Sequence, residues 1–91
     1  MFDLRYKGRL CIPSYDALKD MARHDIPPMI VEEIILDGED FWDDMSGKLE
    51  EGRMMRRGGM EVFAKLVPCY SGSLKEDIWL IKHVGKRRPD K

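Results

Sequence analysis

Two hydrophobic periods divide the chain: apolar residues recur at helical spacing between residues 14 and 37, and they alternate strand-like after residue 46. Ser14, following Pro13, suits an N-cap because its hydroxyl can accept from an amide of the first turn. Leu18, Met21 and Ala22 then form a stripe, with Lys19, Asp20 and Arg23 on the other side. The turn Asp25-Ile26-Pro27-Pro28 ends this helix and starts a second over 28–37. There Ile30, Val31, Ile34 and Ile35 make a broad apolar face, Glu32 and Glu33 point away, and Gly38 stands where a C′ glycine closes a helix. Residues 48–57 and 60–69 flank Gly58-Gly59, a hairpin signal. Met60, Val62, Ala64 and Leu66 share one strand face; Glu61, Phe63, Lys65 and Val67 share the other. After a turn at Ser71-Gly72-Ser73, residues 75–84 form a last strand, apolar on both faces over Ile78–Ile81 as a central strand is. Residues 4–12 read as a weak strand or extended arm, 39–46 as an acidic connection and 86–91 as a frayed tail. The pattern predicts one α+β domain over 1–91: two N-terminal helices packed on a three- to four-stranded antiparallel β-meander.

Composition narrows the class. Ninety-one residues make a single domain, so a site is a shallow groove or is shared with a partner. With 43% apolar and 36% charged residues, the chain is neither disordered nor membrane-embedded. Asp3, Arg5, Lys7 and Arg9 interrupt the N-terminus where a signal peptide needs an apolar run, so a cytoplasmic protein is expected. Asn, Gln and Thr are absent while charged residues abound, which favours a thermophilic source. Cys11 and Cys69 form no CxxC motif; reduced thiols are favoured, and a disulfide stays open. The net charge of −1 hides an asymmetry. Residues 1–46 hold 5 Lys/Arg against 11 Asp/Glu, and residues 47–91 hold 11 against 6. Such a chain either steers a polyanion to one face or folds its halves together and neutralises itself.

No nucleotide loop, zinc-protease motif or nucleophile elbow is present, and no cofactor or metal is expected. Asp37, Glu39, Asp40, Asp43 and Asp44 could gather a divalent cation but miss the EF-hand spacing, and a solvated acidic loop is favoured. The basic set is richer. Arg53, Arg56, Lys65 and His83 lie on three consecutive expected strands, with Arg57 and Lys82 beside them. Arginine and lysine suit phosphate, and histidine serves as acid or base near neutral pH. Trp42, Phe63, Tyr70 and Trp79 are candidates for base stacking, with packing the commoner role. His24 suits the negative end of the first helix.

The stretch SYDALKDMARHDIPPMIVEEIILDGED resembles the opening of a family of small prokaryotic domains, domain of unknown function 4258, related to the RelE-like and BrnT-like toxin ribonucleases. Ala17, Arg23, Ile26, Glu32, Glu33, Ile34, Gly38 and Glu39 fall in step, while Asp16 stands at the family's leading histidine. The resemblance implies a RelE-like fold and an endoribonuclease or RNA-contacting relative. Its candidate site residues are Arg23, Arg53, Arg56, Lys65 and His83, and its partners RNA or the ribosome and an antitoxin-like protein. A homodimerising or protein-interaction domain is the rival reading, and a cation-binding module using residues 37–44 is a third.

Overall fold

A computed structural model describes residues 4–43 and 50–88. Its elements are β1 (Arg5–Tyr6), β2 (Arg9–Pro13), α1 (Tyr15–His24), α2 (Pro28–Asp37), β3 (Glu39–Asp43), β4 (Glu50–Arg57), β5 (Met60–Ser71) and β6 (Glu76–Arg87). All six strands join one sheet in the order β1-β2-β6-β5-β4-β3. Every pairing is antiparallel except that of β2 with β6, which is parallel.

The expected three- to four-stranded antiparallel meander of RelE-like form is therefore overturned: the sheet is a six-stranded mixed half-barrel. Three local features account for the difference. The stretch 4–12 is a hairpin, not one arm, because Lys7 and Gly8 both adopt positive φ, the geometry of a two-residue turn. Residues 39–43 of the acidic connection pair with β4 as an edge strand. β6 continues to Arg87, beyond the expected start of a frayed tail at residue 86. Residues 44–46 of the connection, 48–49 of the expected strand and 89–91 of the tail lie outside the described residues.

The helices begin and end for local reasons. Ser14 Oγ accepts the Ala17 amide at 3.0 Å, and Asp25 closes α1 in the left-handed region with φ 57°. Gly38 ends α2 differently from expectation, since its φ is −81°. A Cβ there would stand on the carbonyl oxygens of Ile34 and Met54, so close passage of β4, not handedness, demands glycine.

One core fills the inner face. Val31, Ile34 and Ile35 of α2 meet Val62, Ala64 and Leu66 of β5 together with Ile81 and Val84 of β6. α1 turns Ala17, Asp20 and Met21 inward, while Leu18 of the expected stripe is 48% exposed. The sheet curls around this core until its far ends meet. Tyr6 of β1 donates to Asp40 Oδ1 of β3 at 3.4 Å, Lys7 pairs with Glu51 at 3.9 Å, and Arg53 lies 5.3 Å over the Tyr6 ring. Trp79 Nε1 donates to the Tyr6 carbonyl at 3.0 Å beneath this closure. No helix among the described residues is long and apolar enough to cross a membrane.

Candidate functional site

A bulge in β6 builds the site. Leu66 pairs with Ile81 but Lys65 pairs with His83, leaving Lys82 as an extra residue. Ile81 and Val84 both enter the core, so Lys82 and His83 between them are both turned off it. β2 stops opposite Ile81, and α1 takes over the vacated edge. The Ser14 amide donates to the Ile81 carbonyl at 2.9 Å, and the Ser14 hydroxyl donates to the Lys82 carbonyl at 3.1 Å. Asp20 Oδ2 accepts the Val84 amide at 3.2 Å.

The same carboxylate oxygen takes His83 Nδ1 at 3.1 Å, and Oδ1 accepts from Arg23. Asp20 is 7% exposed. Burial opposes its ionisation but is outweighed by the Val84 amide, the His83 hydrogen bond and the charges of His83 and Arg23, so its pKa lies below the usual carboxylate value. An ionised carboxylate only accepts, so Nδ1 carries a proton, and in the neutral form of the ring Nε2 is the acceptor. His83 is half-exposed, and Lys65 is its cross-strand partner, with Cα atoms about 5 Å apart in such a pair. Lys65 follows the core residue Ala64 and so stands on the outer, helix-free face.

Of the residues singled out from sequence, Arg23, Lys65, Lys82 and His83 come together here. Arg53 does not. Its side chain is 13% exposed; Nε donates to the Ile35 carbonyl at 2.9 Å, Nη2 to the Gly38 carbonyl at 2.6 Å and Nη1 to Asp40 at 2.7 Å. It closes the C-terminus of α2 and is structural. Arg56 stands along the outer face, 3.8 Å from Glu61, and Arg57 pairs with Glu33 at 2.9 Å near the hairpin. Trp79 is buried, Phe63 is half-buried, and Trp42 and Tyr70 are exposed.

The acidic segment gathers no cation site among the described residues. Strand alternation sends Glu39 and Asp40 to opposite faces, and Asp40 is committed to Arg53, whose hydrogen bond lowers its pKa. Asp44 lies outside the described residues. Cys11 is buried and Cys69 exposed, and both are free. Through Trp79 and Ile78, their respective neighbours on β6, they sit on opposite faces, which rules out the disulfide. Burial pushes the Cys11 thiol up to about 11, partly offset by a hydrogen bond from the Tyr6 backbone.

No family model, no curated protein and no solved structure matches the chain. The chemistry of the site is therefore read from its geometry.

Sequence reasoning missed Asp20, which it placed on the polar side of α1. A signal existed: Asp20 follows Ala17 by three residues and precedes Met21, so it lies inside an apolar stripe. A carboxylate in that position needs donors from another element. Glu61, 9% exposed and read only as an outer-face residue, was missed in the same way.

Proposed function

We propose that the edge of the sheet around His83 is an RNA-binding site at which His83 acts as general acid or base on a phosphodiester. The observation that carries this reading is the Asp20 carboxylate, which fixes the His83 ring through Nδ1 while holding Arg23 beside it. A buried carboxylate behind an imidazole orients the ring, sets its tautomer and stabilises the imidazolium that forms when Nε2 takes a proton. Arg23 and Lys65 supply positive charge for phosphate oxygens, and an Arg is suited to two-point contact.

The test is incubation of the pure protein with total RNA at low salt, beside His83→Ala and Asp20→Asn variants shown by circular dichroism to be folded. Cleavage by the native protein that falls by two orders of magnitude or more in His83→Ala supports the reading, the size general acid–base catalysis supplies. Absence of both cleavage and RNA binding refutes it.

One observation favours a second reading, a protein-interaction domain. Trp42 is 57% exposed on β3, and among the described residues no strand covers the outer edge of β3. An uncovered edge strand is a template for pairing with another chain. Sedimentation showing a monomer at all concentrations, unchanged by Trp42→Ala, would oppose self-association through this edge.

A further inference from the structure

We infer that Phe63 and Arg87 form a stacking platform that holds an unpaired base of single-stranded RNA beside His83 and Lys65. The inference rests on the RNA reading above and names the form of RNA that the site takes.

The platform occupies the outer face, one strand repeat from the basic pair. Phe63 pairs with Gly85 and Lys65 with His83, so the two rows are about 7 Å apart along β5. Glycines let the rings lie close to the sheet. A Cβ on Gly85 would stand 2.6 Å from Phe63 Cζ, and one on Gly52 would stand 2.5 Å from Phe41 Cε1. The two rings meet edge to face, with centroids 5.8 Å apart and planes at 74°. Filling glycine gaps with aromatic rings is a packing device in itself.

Packing alone does not account for what lies on top. The Arg87 guanidinium covers both rings, 5.4 Å from the Phe63 centroid and 5.7 Å from that of Phe41. Its Nε donates to Glu61 Oε1 at 3.1 Å, while Arg56 approaches the other oxygen of Glu61 at 3.8 Å. One nearly buried carboxylate thus holds two arginines on an open face. The Arg87 side chain remains 51% exposed. A planar guanidinium fixed from below is a surface on which a nucleobase stacks, and stacking of this kind requires a base freed from its duplex. The phosphates on either side then fall near Arg56 and near Lys65 with His83.

The test is fluorescence anisotropy with a labelled oligouridylate and with an RNA duplex of equal length, over a range of salt. Phe63→Leu keeps the apolar volume but removes the ring, and Arg87→Lys keeps the charge but removes the plane. Each should weaken oligouridylate binding about tenfold, as loss of one stacked base does, with the slope of log K against log salt unchanged. Lys65→Ala should instead reduce that slope by about 0.7, the value for one phosphate contact on a single strand. Unaltered affinity in both Phe63→Leu and Arg87→Lys, or tighter binding of the duplex than of the oligouridylate, overturns the platform while leaving RNA binding in place. No binding of either RNA by the native protein overturns the RNA reading and the platform with it.

Discussion

Asp20 shows how one side chain serves both fold and site. It replaces a missing β2 acceptor for the Val84 amide and holds His83 with the same oxygen. Hydrogen bonds to a buried charge contribute about 1.5–3 kcal/mol each, and Asn retains one acceptor, so Asp20→Asn should cost about 2–3 kcal/mol in urea denaturation. The sign of its pH dependence follows from its depressed pKa. The ionised carboxylate stabilises the fold above the unfolded carboxylate pKa of about 4, and that contribution is lost as pH falls through the folded pKa. The native protein should therefore lose stability below about pH 4 more steeply than Asp20→Asn. Asp40, also depressed, contributes equally to both proteins and cancels in the comparison. Parallel stability curves for the two proteins would contradict the ionised Asp20. At this scale residue type was legible and placement was not: His83, Lys65 and Arg23 stood out as basic chemistry, whereas Arg53 carried the same charge into a helix end. What separates Arg53 from Lys65 and His83 is the strand face each occupies. Arg53 pairs with the core position Ala64, and Lys65 is one residue further along.

The legible elements were those specified within a few residues. Ser14, the Pro27-Pro28 start and Gly58-Gly59 mark α1, α2 and the β4–β5 turn, and each rests on local backbone geometry. The elements that escaped are specified by distant partners. β3 has the unpromising sequence EDFWD and exists because β4 offers it a ladder. β2 is parallel to a strand more than sixty residues away, a pairing with no local signature. Two contacts between elements can be tested by substitution. Gly38→Ala would drive a Cβ onto two backbone carbonyls at the α2–β4 crossing, and since backbone cannot yield as a side chain does, a loss of about 3 kcal/mol or more is expected. Arg53→Met keeps the bulk over the Tyr6 ring but leaves the Ile35 and Gly38 carbonyls without their donor, and about 2–3 kcal/mol should be lost. The same Arg53→Met protein, once folded, should bind RNA like the native chain, because Arg53 lies outside the His83 cluster. A large loss of RNA affinity with little loss of stability would return Arg53 to the site.

On the scale of the whole molecule, the acidic first half and basic second half fold against each other. Asp20 with His83, Glu33 with Arg57 and Asp40 with Arg53 are all pairs between the two halves. Of the two outcomes the charge asymmetry allowed, mutual neutralisation accounts for these groups. The same folding-back closes the half-barrel at Tyr6. This ring is 9% exposed, touches Trp79 at a centroid distance of 5.9 Å and lies under Arg53, so β1 acts as a clasp between the two ends of the sheet. The clasp is chiefly apolar, since the hydroxyl contact with Asp40 is long at 3.4 Å. Tyr6→Phe should therefore cost under about 1 kcal/mol, while Tyr6→Ala should cost about 3 kcal/mol, a fall in Tm of more than 10 °C for a domain of this size. Opening the clasp also uncovers Trp79, so the emission of the folded Tyr6→Ala protein should shift to the red while that of Tyr6→Phe stays in place. A Tyr6→Phe protein as unstable as Tyr6→Ala would mean that the hydroxyl, not the ring, holds the ends of the sheet together.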